Sequence, residues 1–198
     1  MKKLPLPIFI FFIFCKITLA QSSLPECKGN DVTNPIKKFI KSKKWNSCHG
    51  TMLTLKGNPA YVGEFNKGQP HGFGTFIYAG RKYVGEWKNG KQHGEGTYIY
   101  VNGDRYAGEW KKGKYHGKGT YIYANGDTYV GEWKKGKYNK PDNQRERNGY
   151  GIYTYINGDK YVGEWKKGLR HGSGTFTYSS GKFEKGIWKK DKLVKSKQ

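Results

Sequence analysis

The sequence predicts an all-β fold, an elongated single-layer stack of antiparallel β-hairpins with a short N-terminal helical cap. Three observations predict it. Near-identical segments recur, as in "YAGEWKKGKY" from Tyr106 and "YVGEWKKGKY" from Tyr129, 23 positions apart, and a fixed interval of this size marks a repeat architecture. Each copy alternates glycine or aromatic residues with other residues at the two-residue period of a strand. The 198 residues are 16% aromatic with 29 glycines but only 35% hydrophobic overall, which suits a thin structure that packs rings rather than a thick aliphatic core.

Residues 1–20 stand apart from the fold. Lys2 and Lys3 form a positive n-region, Leu4 to Phe14 an apolar run, and Thr18-Leu19-Ala20 a small-residue end before Gln21, the three parts of a secretory signal peptide. A membrane-spanning helix needs about 20 apolar residues, and Lys16 interrupts the run. Lipidation at Cys15 is disfavoured by the bulky Phe14 before it. The expected destination is the periplasm or the exterior, with or without membrane association.

Removal of that segment leaves two cysteines, Cys27 and Cys48. An even thiol count in an oxidising compartment predicts a disulfide, worth roughly 3 kcal/mol in the chain-entropy view; no CxxC spacing suggests redox chemistry. Residues 21–44 read as a cap segment. Asn34 is placed as an N-cap, Pro35 as the first helical residue, and Ile36, Phe39 and Ile40 share one helical face. Such a basic amphipathic helix could lie on a membrane surface, but covering the open first edge of a sheet is favoured, because repeat arrays need caps.

The array spans 45–190, followed by a basic tail, 191–198. Units open at Tyr61, Tyr83, Tyr106, Tyr129, Tyr161 and, less closely, Phe183, in steps of 22, 23, 23, 32 and 22 residues. The frame is an aromatic, Gly two later, Trp or Phe four later, a Gly turn, His-Gly-x-Gly and a Thr/Tyr-rich run. Packing is assigned to Tyr61, Gly63, Phe65, Tyr83, Gly85, Trp87, Tyr106, Gly108, Trp110, Tyr129, Gly131, Trp133, Tyr161, Gly163 and Trp165. "WNSCHGTMLTLKG" from Trp45 supplies half a unit. The long step contains an insertion, 139–147, "NKPDNQRER", whose Pro141, Asp142 and Asn143 are turn formers. It should loop out and leave Tyr153 and Tyr155 in the register of Tyr121 and Tyr123.

Within one hairpin, Gly117, Gly119, Tyr121 and Tyr123 fall on one face and Tyr129, Gly131 and Trp133 on one face of the next strand. Only an odd-numbered loop puts both sets on the same side, and a three-residue loop with Gly126 left-handed does so. The rings then meet glycines, because a side chain opposite a ring would collide with it. Tyr78 to Tyr83 and Tyr178 to Phe183 are five apart instead of six, so both of those hairpins are expected to turn differently.

These residues resemble a family. "YVGEWKNGKQHGEGTYIYVNGD" and its copies are similar to MORN repeats (membrane occupation and recognition nexus), over about Trp45 to Lys190. The resemblance implies stacked hairpins in one twisted sheet with a groove. Phe65 in place of Trp, the shortened Tyr178-Ser179-Ser180-Gly181 turn and the insertion depart from the frame. The fold leaves the function open.

The residues suggest no catalytic, cofactor or metal chemistry. His49, His71, His93, His116 and His171 all occupy the same His-Gly slot, and equivalent positions two strands apart lie about 9–10 Å from each other, too far to share a zinc ion at about 2 Å. Ser, His and acidic candidates for a triad belong to the frame or to linkers. The glycines alternate inside strands instead of opening a helix, which excludes a nucleotide loop. Glu64, Glu86, Glu109, Glu132 and Glu164 read as solvent-facing partners of nearby lysines.

Charge carries the functional expectation. The chain holds 37 basic and 15 acidic residues, a formal +22, and loss of Lys2, Lys3 and Lys16 lowers this to +19. Lysines recur at corresponding turns and should form a basic edge: Lys88, Lys111, Lys112, Lys134, Lys135, Lys166 and Lys167. Exposed parts of the frame Tyr and Trp residues are further contact candidates. The sequence therefore reads as a non-catalytic exported scaffold for a protein or an anionic envelope polymer, or alternatively as a peripheral module on anionic lipid. Nucleic acid is disfavoured by export and by rings committed to packing, and a small-molecule substrate by the extended surface.

Overall fold

Repeats that alternate side chains about a backbone fold by pairing each strand with the next. The computed structural model describes residues 23–27, 45–53, 59–137 and 147–196. Its strands are β1 (Cys48–Leu53), β2 (Pro59–Asn66), β3 (Gln69–Tyr78), β4 (Arg81–Lys88), β5 (Lys91–Ile99), β6 (Arg105–Trp110), β7 (Lys114–Ile122), β8 (Thr128–Lys137), β9 (Arg147–Thr154), β10 (Lys160–Lys166), β11 (Leu169–Thr177), β12 (Phe183–Lys189) and β13 (Lys192–Ser196). They form one open sheet in which spatial order is chain order. No helix occurs among the described residues. The signal segment, the cap helix and most of the insertion lie outside them.

One face of the sheet is a ladder of rings. Tyr106 meets Trp110 four residues on at 5.3 Å and Trp133 of the next repeat at 5.4 Å, both edge to face. The same two contacts start from Tyr61, Tyr83, Tyr129 and Tyr161, with Phe65 standing for Trp in the first. Each ring pair of this geometry contributes about 0.5–1.5 kcal/mol beyond burial. The polar ends are satisfied: Trp110 Nε1 donates to Gly96 O and Tyr106 Oη to Glu109 O.

Glycine makes the ladder possible. Tyr106 lies over Gly119, where a Cβ would stand 2.5 Å from Oη, so any side chain there would displace the ring. Register places Gly119 opposite Gly131 and Tyr121 opposite Tyr129. The rings therefore cover glycines of their own and the following strand more than those directly opposite. The His-Gly glycines obey another rule. Gly117 has φ +55° and a Cβ there would strike the Glu109 carboxylate on the other face. Glu86, Glu109 and Glu164 accept the main-chain N–H of Glu95, Lys118 and Ser173 at 2.8–3.1 Å. These glutamates hold the bulge after each His-Gly rather than pairing with lysines; the ion pair found among the described residues joins Arg170 and Asp191.

The turns complete the correction of the sequence reading. Tyr123 N–H donates to Asp127 O and Gly126 N–H to Tyr123 O, a three-residue loop with Gly126 at φ +95°. Ala79-Gly80 forms the shorter turn expected there, with Tyr78 opposite Arg81. The last hairpin does not differ: Tyr178 and Lys182 close the same three-residue loop. Glu184 thus takes the slot that Tyr129 fills, and Phe183, 64% exposed, lies on the opposite face. The supposed tail supplies β13, because Lys190 and Asp191 form a two-residue turn between paired Lys189 and Lys192. Arg147, read as part of the insertion, opens β9 opposite Trp133 and stacks over Trp165 at 4.4 Å, so burial against rings retains it in the frame.

At the start of the sheet, Glu26 bridges His49 in parallel and Cys27 N–H donates to His49 O, which lays residues 25–27 along the open edge of β1. A disulfide joins Cys27 to Cys48. Trp45 packs on Phe65 at 4.8 Å, so the ladder starts before the first full repeat.

Candidate functional site

Two rows of turns border the sheet, and they are built differently. Along one border run the two-residue turns Lys67-Gly68, Asn89-Gly90, Lys112-Gly113, Lys167-Gly168 and Lys190-Asp191, with both residues of each at positive φ. Such mirror-image turns suit the twist of a hairpin. Main-chain bonds tie these turns to the preceding hairpin: Gly90 N–H donates to Pro70 O, Gly113 to Gln92 O, and Gly168 to Arg147 O. In addition, Asn46 and Asn148 Oδ1 accept the Lys67 and Lys167 N–H, the Arg147 guanidinium donates to Gly168 O, and the Asp191 carboxylate accepts from Arg170. The side chain at the first turn position makes none of these bonds. Lysine nevertheless fills it four times, at φ 51°, 53°, 52° and 49° for Lys67, Lys112, Lys167 and Lys190. A left-handed conformation costs a residue with a Cβ roughly 1–2 kcal/mol, and Gly or Asn reduces that cost.

Lys88, Lys111 and Lys166 flank these turns and are exposed, as are Lys112 and Lys167, and Lys134 is exposed within β8 opposite His116. Lys135 continues β8 at the same border. Seven lysines singled out from sequence thus gather on one border, joined by Lys67, Lys189 and Lys190, which the sequence reading passed over. The frame rings do not join them as contact candidates. Tyr83, Tyr106, Tyr129 and Tyr161 are completely buried and the frame tryptophans nearly so, because the ladder seals them.

The opposite border is wired through carboxylates. Asp104 accepts Tyr121 Oη at 2.7 Å and Ala124 N–H at 2.8 Å, both from the following repeat. Asp127 does the same for Tyr153 Oη and Ile156 N–H. Asp159 accepts Ser179 N–H, and Phe176 offers it no hydroxyl. Burial opposes ionisation of Asp127, but the bonds from Tyr153, Ile156 and Asn125 outweigh it and hold the carboxyl below its usual value. These aspartates were missed from sequence; the recurring Asn-Gly-Asp at 102–104, 125–127 and 157–159 was the available signal.

The face away from the rings carries a shallow groove lined by Glu95, Lys118, Thr120, Val130, Tyr150 and Ile152, among others. Burial, then Glu109 and Glu86, raise the Glu95 carboxyl above its usual value. The histidines are half-buried, His71, His93, His116 and His171 at the bulges and His49 in regular register opposite Glu64. No cluster of three metal-ligating side chains occurs among the described residues, and no described helix is long and apolar enough to cross a membrane.

The sequence matches the MORN repeat over residues 61–80, 83–105, 106–128, 129–139, 146–160 and 161–183. No curated protein matches the chain.

Proposed function

Because the chain belongs to the MORN repeat family, a non-enzymatic repeat module generally used for protein or lipid interaction, we propose that it is an exported, non-catalytic scaffold whose lysine border binds an extended anionic partner, either an acidic protein or an anionic envelope polymer. The observation that carries this reading is lysine in left-handed turns. The bonds that hold these turns use main chain and the side chains of Asn46, Arg147, Asn148, Arg170 and Asp191 but not the lysine side chains, and Asn89 fills the equivalent position at less cost. A side chain that the fold does not require, repeated at a conformational cost, points to the charge itself.

The sheet's twist favours a linear partner over a flat one. Adjacent strands rotate by about 20–25°, so across the strands between the Lys67 and Lys190 turns the border winds through roughly half a revolution. A flexible polyanion can follow such a path and engage several turns at once, which multiplies weak contacts. An anionic membrane surface, the alternative ligand, meets only the turns on one side. Export rests on the signal-like residues 1–20 and on the disulfide, which persists in oxidising compartments.

The test is binding of polyglutamate and of anionic and neutral vesicles across a salt series. The proposal expects polyglutamate to bind, with affinity falling steeply with salt, and to bind more tightly than vesicles of matched charge. Stronger binding to anionic vesicles would favour the membrane reading, and salt-independent binding would remove both.

A further inference from the structure

The two ends of the sheet are finished differently. The outer edge of β1 is covered by residues 25–27, fixed by main-chain bonds to His49 and by the Cys27–Cys48 disulfide. Among the described residues β13 is the last strand in order and pairs with β12 alone. Its outer edge therefore presents unpaired N–H and C=O groups, a template for another strand. It carries no proline, which would block pairing. Leu193 packs against the ring ladder and anchors the strand, while Lys192, Val194 and Lys195 are exposed.

We infer that the outer edge of β13 receives an acidic, extended peptide segment as an additional strand. Between residues 182 and 196 the chain has six lysines, at 182, 185, 189, 190, 192 and 195, against Glu184 and Asp191, and Asp191 is already paired with Arg170 at 3.2 Å. An incoming strand thus meets a nearly unopposed positive field. Edge lysines are a common guard against association of identical sheets. With a formal +22 on each chain, the same lysines that repel a second copy select an acidic strand, since opposite charges across a strand pair contribute favourably and like charges do not. Backbone bonds would supply affinity, and alternate carboxylates facing Lys192 and Lys195 would supply selectivity. This surface is separate from the lysine turn border, and its test separates the two.

The test is calorimetric titration of the oxidised full chain with a short synthetic peptide alternating Glu and Val. A second peptide has the same sequence but alternate backbone nitrogens methylated. The first peptide should bind, and the methylated one, which keeps the charge but cannot form the ladder, should not. Lys192→Glu with Lys195→Glu should weaken binding by about tenfold or more at an unchanged melting temperature, since both side chains are exposed. Lys112→Gly with Lys167→Gly should leave it intact. The inference is overturned if the first peptide fails to bind, if the methylated peptide binds equally well, if the double Glu variant binds as the parent does, or if β13 instead pairs two copies into a stable dimer.

Discussion

The lysine border and the aspartate border do the same architectural job with different parts. Both connect each turn to its neighbour in the stack. One relies on N–H to carbonyl bonds, as from Gly113 to Gln92, helped in places by Asn148, Arg147 and Asp191 but never by the lysine side chain at the turn; the other uses a side chain that no hydrophobic or basic residue replaces, as from Tyr121 to Asp104. The aspartate at its border is therefore set by folding, whereas the first residue of each turn at the lysine border has a side chain that folding does not use. The difference separates residues retained for structure from residues available for a partner.

Both borders depend on the ladder between them, so the largest effect should come from breaking it. Trp110→Ala removes the contacts with Tyr83 and Tyr106 and should cost about 3–5 kcal/mol, seen as a lower melting temperature in the purified chain. An unchanged melting point would contradict the packing described. Asp104→Ala leaves a buried tyrosine hydroxyl and a turn N–H without their acceptor and should cost about 2–4 kcal/mol. Asp159→Ala should cost less, because that residue is half-buried where Asp104 is buried, and it serves no tyrosine. Equal losses at the two sites would show that the bond from Tyr121 adds nothing to the one from the turn N–H.

Extremes of pH probe the ring ladder and the aspartate border from opposite directions. Burial, followed by Glu64 for Tyr61 and by Glu86 for Tyr83, raises both hydroxyls well above the ordinary tyrosine value. Their contribution is complete below the unfolded value of about 10 and is lost as pH rises beyond it. Alkaline unfolding should accordingly coincide with tyrosinate absorbance. The lowered Asp127 carboxyl acts with the other sign: its contribution is present above the unfolded value of about 3.9 and is lost as pH falls through its folded value. Asp127→Asn should flatten the acid limb of a stability profile and leave the alkaline limb unchanged.

Deleting 139–147 should have the smallest effect. It restores the 23-residue period and puts Tyr138 in the slot of Arg147, the slot that Tyr115 fills opposite Trp110 one repeat earlier. Doubling a loop costs only about 0.6 kcal/mol, so the variant should melt close to the parent, and failure to fold would contradict the register.

The parts legible in the sequence were those expressed within one repeat. Alternation fixed which residues share a face, and the spacing of Tyr123 and Tyr129 fixed the three-residue turn. Interactions that leave the repeat were not legible. Nothing local in Asn125-Gly126-Asp127 says that its carboxylate holds Tyr153 and Ile156. A carboxylate beside lysines reads as an ion pair, whereas the bulge aims Glu109 at the Lys118 main chain. Phe183 was misread because an aromatic at nearly the right interval imitated the frame, and only strand pairing revealed Glu184 in that position. The lysine border was visible as a row of charge, but the left-handed backbone that makes those lysines costly was not.

That cost gives the most direct test of the central claim, that lysine at these turns is kept for its charge and not for the fold. Lys67, Lys112, Lys167 and Lys190 would be changed together to Gly, with melting temperature and polyglutamate affinity measured on the same preparation. The account predicts that the variant melts at a higher temperature than the parent, as relief of left-handed strain outweighs the added freedom of the unfolded chain, while its affinity for polyglutamate falls. A variant that melts lower and binds polyglutamate as tightly as the parent would contradict it.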